Sequence, residues 1–128
     1  MSRPFIKSYV ATADIAPYLI AKAAVPATGT TVSTAAAATD SLLGVTDSLG
    51  GVAGKAVDIT LQGPAEVRLG GNVGFNDPLT ADANGKAIVA VAGAGANKRI
   101  IGYALAPGAL DDIIPIRVAP GYLANPAA

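Results

Sequence analysis

The sequence predicts an all-β fold, a small barrel or sandwich with at most one short helix, and three observations carry that prediction. Glycine and proline, 15 and 9 of the 128 residues, punctuate the chain at about the spacing of short antiparallel strands. Between these breaks apolar residues alternate with polar ones, so the period is two and not 3.6. Only one segment, Thr34 to Asp40 with its run Ala35 to Ala38, has a helical composition. Thr30, Thr31 and Val32 lead into it with β propensity, so a short helix and a single helical turn both stay open there.

Taken in order, Tyr18 to Lys22 and Leu42 to Thr46 read as the first strands. The clearest strand is Ala56 to Leu61: Val57, Ile59 and Leu61 alternate with Asp58, Thr60 and Gln62, which buries one face. Gly63-Pro64 reads as a turn, after which Glu66 to Leu69 alternates again, giving a hairpin or a bent pair. Gly70-Gly71-Asn72 turns once more. Val73 to Leu79 follows, with Pro78 unable to donate to a ladder. Asn84-Gly85, inside Ala81 to Lys86, tolerates the backbone angles of a tight hairpin, and Ala87 to Val91 leaves it as a strand. Gly93 to Asn97 is a loop. Arg99 to Ala106 is apolar on both faces, as a central strand is, and Gly102 within it marks a bend or a close backbone approach. Ile113 to Val118 is the last strand, and Pro115 places it at an edge or on a bulge.

A chain of this length folds as one domain. We expect an N-terminal arm over residues 1–16, a β domain over 17–120 and a tail over 121–128. The arm carries only isolated apolar residues, Phe5, Ile6, Tyr9, Val10 and Ile15, too few to offset an ordering cost of roughly 1–2 kcal/mol per residue. It is therefore expected to be mobile alone and to order against a partner, with Phe5 and Tyr9 as aromatic anchors and Ile6 and Val10 beside them. A first strand paired within its own barrel is the alternative.

Hydrophobic residues make up 52% of the chain, but 28 of them are alanine against 31 Val, Ile and Leu together. Such a thin core suits a protein that buries surface against copies of itself. Nine basic and nine acidic residues cancel, and no basic stripe exists to collect phosphates, which disfavours direct nucleic-acid binding. The absence of cysteine and histidine removes disulfides and thiolate or imidazole metal sites. The N-terminus lacks the pattern of a signal peptide, and the apolar runs are too short to span a bilayer; a protein made in the cytoplasm is expected.

Catalysis needs a positioned base or nucleophile, and the candidates are few. Glu66, the single glutamate, falls on the solvated face of its strand. Asp111 and Asp112 are adjacent and point apart in an extended chain. Asp77, Asp82 and Asn84 have turn chemistry and lack the spacing of a calcium loop. Gly93 to Asn97 has no Lys-Ser/Thr after it, as a phosphate loop would. No catalytic, cofactor or metal site is expected. Lys98-Arg99 reads either as a salt-bridge donor to a neighbouring subunit or as an ordinary charged pair on a loop.

Five fragments, in this order, carry a resemblance: Leu42 to Asp47, Gly54 to Leu61, Pro78 to Lys86, Ile100 to Leu105 and Asp112 to Val118. Their order and spacing over roughly residues 17–121 resemble the head decoration, or capsid cement, proteins of tailed bacteriophages. In that family a strand like Leu42-Leu-Gly-Val-Thr-Asp47 precedes a glycine-led hairpin, then a turn like Pro78 to Lys86 and a strand like Ile100-Ile-Gly-Tyr-Ala-Leu105. The chain departs from the family at Leu110-Asp111-Asp112, where a Gly-Asp often stands. The resemblance implies a β-barrel or β-tulip domain, commonly trimeric, on the outer capsid surface of the virion, joining neighbouring major capsid proteins and resisting the pressure of packaged DNA. It implies a structural protein and not an enzyme. Two rivals remain: a tail, pilus or surface-layer subunit, which shares the composition, and a trimeric β-barrel enzyme or ligand-binding module.

Overall fold

The computed structural model describes residues 4–24, 29–91 and 98–123. Every regular element in them is a strand: β1 (Phe5–Ala11), β2 (Ile20–Ala23), β3 (Thr31–Thr34), β4 (Leu42–Thr46), β5 (Ala56–Arg68), β6 (Pro78–Ala81), β7 (Ala87–Val89), β8 (Arg99–Ala104) and β9 (Ile113–Tyr122). They are joined in the order β1-β3-β2-β4-β5-β9-β8-β6-β7, and a further pairing of β1 with β5 closes the first five into a barrel.

The long strand β5 belongs to both halves of the molecule. Ala56 to Gln62 pair with β1 and β4, and Gly63 to Arg68 pair with β9. The second set of strands also curls back on itself, because Ala87 of β7 bridges Leu69 just beyond the end of β5. The closed barrel and the second set of strands thus share one strand. The expected turn at Gly63-Pro64 is instead the point where β5 passes from one to the other. Gly63, at φ +96°, supplies a bend that costs a residue without Cβ little, and the chain does not reverse.

Each half has its own core. Ala11, Ile15, Leu19, Ala21, Val32, Val57 and Ile59 fill the closed barrel. Barrel width grows with strand number, so five strands leave room for a small core, in which Ala11 and Ala21 sit beside larger residues. The second core is bulkier, built on Leu69, Leu79, Ile101, Ile114, Ile116 and Val118, each worth about 1.5–3 kcal/mol when fully buried. Ile20, Leu42 and Val45 of the closed barrel point into it, so β2 and β4 are apolar on both faces.

Three further expectations need correction. The N-terminal arm is not separate: β1 runs antiparallel to β5 from Phe5↔Gln62 to Val10↔Ala56 and parallel to β3 at Val10 and Ala11, and Ile15 is buried and bridges Gly51. The alternating pattern was masked because the outward positions of β1 are themselves apolar. Pro115 lies in a central strand, since β9 sits between β5 and β8. It is tolerated because β8 has ended there: Ala104↔Ile116 is the last pair, and the Pro115 carbonyl accepts from Leu105 N, so no β8 carbonyl is left waiting for the missing N–H. Of the two readings left open for the Ala35 to Ala38 segment, the structure has the turn, which Ala36 N and Asp40 N close on Asp40 Oδ2 and Ala37 O. The tail begins later than expected, because β9 extends through Tyr122; residues 124–128 and residues 92–97, which include the segment read as a loop, lie outside the described residues.

The Asn84-Gly85 hairpin is present between β6 and β7. Asp82 Oδ1 accepts from the backbone N–H of Asn84 and Lys86, at 2.8 and 2.9 Å. The Gly85 carbonyl accepts from Ile20 N at 2.8 Å, so this turn also fastens the second half to the first.

Candidate interaction surface

Alternation along β1 separates the four apolar residues singled out in the sequence. Ala11 and Tyr9 point inward, Tyr9 packing on the closed-barrel core. Ile6 and Val10 point outward and, with Phe5 at 57%, are exposed. The polar neighbours are already engaged: Ser8 Oγ donates to Asp58 Oδ1 at 2.7 Å, and Lys7 Nζ lies 5.3 Å from the Tyr9 ring centroid.

Lys98 and Arg99 lie on the other half of the molecule and are occupied within the chain. Arg99 Nη2 donates to the Tyr122 hydroxyl at 2.9 Å, its guanidinium stacks 4.7 Å from the Tyr122 ring centroid, and Nη1 donates to Ser41 Oγ. Lys98 Nζ donates to the Val91 carbonyl at 2.9 Å. The structure therefore does not bring this pair together with Phe5, Ile6 and Val10.

Sequence reasoning missed a second apolar surface. Val73 and Gly108 exchange backbone hydrogen bonds of 2.9 and 3.1 Å, which draws the β5–β6 and β8–β9 connections to one end. Phe75 at 69%, Leu105 and Leu110 are exposed on these two connections. Phe75 and Leu110 are lone apolar residues among turn formers, so no periodicity announces them, and Leu105 falls just past the end of β8 inside the segment read as a strand. Leu49 and Val52 stand out similarly from the β4–β5 connection.

Several carboxylates have structural roles. Asp77 Oδ2 accepts from Gly74 N, and Asp112 Oδ2 from Ala109 N. Among the described residues no three or more acidic, cysteine or histidine side chains converge. Asp111 adopts φ +67° and pairs with Lys86 Nζ at 2.7 Å, while Arg68 Nη1 donates to its carbonyl. The hydrogen bond and charge of Lys86 hold the Asp111 carboxyl below its ordinary value. A depressed folded-state value adds stability above the ordinary carboxylate range, lost as pH falls through the folded value. The Asp111 side chain is exposed, so the contribution is small. Asp111→Asn, which tolerates the same backbone angle, is expected to melt close to the wild type at pH 7. It should also show a shallower loss of melting temperature as pH falls below the ordinary carboxylate range. Parallel thermal melts through and below that range check this.

Where the two halves meet, a cleft of about 310 Å³ opens between Ile6, Tyr18, the end of β4 and the middle of β5. Buried Thr46 shapes it. Its hydroxyl accepts from Leu19 N at 3.0 Å and donates to the Ala16 carbonyl at 2.9 Å. The backbone of Tyr18 is held from both sides, its N–H on the Asp47 carbonyl and its own carbonyl accepting from Arg68 N at 2.8 Å. Tyr18 takes φ +61° there, a rare angle for a bulky residue that persists where surroundings over-determine it.

No family model matches the sequence, and no curated protein does. A solved structure does. The chain is similar to the N base of head fiber gp8.5 of bacteriophage phi29, with a TM-score of 0.66 and 15% identity, over 91% of this chain and 95% of that chain. It has the fold of a phage head fiber base. The likeness spans both halves of the molecule, since so little of either chain is left unmatched, and at this identity it is a likeness of fold.

Proposed function

We propose that the protein is a non-enzymatic structural subunit of a phage head, which binds the outer capsid surface and stabilises it. The observation that carries this reading is the nearly complete match of fold to a head fiber base. The order of sequence fragments resembling head decoration proteins is an independent support. In this reading the subunit contacts the major capsid protein and joins neighbouring copies of it against the pressure of packaged DNA. It assembles as a homotrimer on the particle. The exposed apolar residues Phe5, Ile6 and Val10 on one half, and Phe75, Leu105 and Leu110 on the other, are surfaces for those contacts, since exposed apolar groups in proximity mark interaction sites.

Cosedimentation tests it. Purified protein mixed with expanded, emptied heads that lack decoration is expected to pellet with them at a fixed ratio to the capsid protein, and to show threefold density on imaged particles. Protein that stays in the supernatant with such heads from its own phage would overturn the reading.

A further inference from the structure

The cleft between the two halves has a chemistry of its own. Side chains paired across neighbouring strands share a face, so Ile20↔Val45, Val45↔Thr60 and Ile6↔Thr60 define one row on the outside of the closed barrel. Ile20 and Val45 are covered by the second core. At Thr60 the cover stops, and Ile6, at the far end, is half exposed. The cleft is the open remainder of that row.

Its polar groups ask for a donor. Thr60 is only 7% exposed, lines the cleft, and its hydroxyl has no hydrogen-bond partner among the described residues. Asp47 and Glu66 line the same space. Glu66 has no ion pair or hydrogen bond there, and the Tyr18 side chain is likewise unpartnered. No basic residue is among the lining residues. Two carboxylates are too few for a metal ion held by protein alone. Two carboxylates, an aromatic side chain and an unpaired hydroxyl, beside the apolar Ile6 and Pro64, match a long amphipathic cation, whose stem lies on apolar surface while its head pairs with charge.

We propose that this cleft receives a lysine or arginine side chain presented by a partner protein. The stem rests on Ile6 and Pro64, and the charged head meets Glu66, Asp47, Thr60 and the Tyr18 ring. The inference rests on the lining chemistry and holds whichever assembly the protein joins. The volume, near the lower end for ligand sites, fits one such side chain and not a folded element.

The test is an amide-resolved NMR titration of the full chain carrying Arg3→Gln, which removes the basic residue next to Pro4 in sequence. The probes are the N-acetyl amides of arginine, lysine, norleucine and glutamate. The arginine and lysine amides are expected to shift the signals of Tyr18, Asp47, Thr60 and Glu66 with saturation, and about 0.5 M salt should weaken both. Glu66→Gln, on an exposed strand position, should weaken binding roughly threefold or more, and Thr60→Val should do so without altering the salt dependence. An equal response to norleucine, a response to glutamate, or no response to any probe would overturn the proposal. A protein that binds the basic amides but fails to pellet with heads would leave the cleft chemistry standing and remove the virion reading.

Discussion

Deleting residues 2–12 is expected to abolish the cooperative unfolding transition. β1 is the strand that closes the first barrel, pairing with β5 on one side and β3 on the other, and a closed barrel is stable partly because it has no edge. Without it, β3 and β5 face solvent with unpaired N–H and C=O groups. The core residues Val32, Val57 and Ile59, now fully or almost fully buried, lose their cover. Exposing even three such side chains costs an amount comparable with the about 5–15 kcal/mol by which domains are stable. Melting followed by circular dichroism checks it. A deletion that keeps its melting temperature within about 5 °C of the wild type would show that the segment is peripheral.

The second large effect is expected at two glycines. A Cβ built on Gly44 would overlap the backbone carbonyl of Thr60 and press on the Ile59 side chain, and one on Gly102 would overlap the carbonyl of Arg117. In both places the obstacle is the backbone of a paired central strand, which cannot rotate away as a side chain can. Gly44 sits between β2 and β5, and Gly102 sits at the irregularity between β8 and β9. Gly44→Ala and Gly102→Ala are each expected to cost about 3 kcal/mol or to leave the protein insoluble. Gly71→Ala is the control, because its nearest neighbour would be Ile88 Cγ2 at 3.9 Å, an ordinary contact. If either core variant melts within about 2 °C of Gly71→Ala, the strands slide apart more readily than their packing implies.

What the sequence made legible is what local chemistry controls. β4 falls at Leu42–Thr46 as read, the β6–β7 hairpin turns at Asn84-Gly85, and Gly102 is the close approach its position suggested. Where a residue's meaning depended on a distant neighbour, the reading failed. Gly63-Pro64 looked like a turn because nothing local reveals that β5 changes partners there. Residues 5–10 looked unpatterned because outward Ile6 and Val10 are as apolar as inward Tyr9. The cleft was invisible for the same reason: Tyr18, Asp47, Thr60 and Glu66 come from separate parts of the chain and meet only when the two halves share a strand. Thr46, whose hydroxyl ties down the approach to Tyr18, was simply the last residue of a strand.

The shared strand also has a mechanical consequence. If the two ends of the molecule are pulled apart along β5, its ladders to β1 and to β9 are loaded in shear. Their hydrogen bonds run across the strands, so they bear the tension together and do not open one after another. The joint between the halves is continuous polypeptide as well as packed side chains, and it would transmit strain rather than yield as a hinge. A protein fastened to a shell that swells would, on that geometry, act as a tie bar.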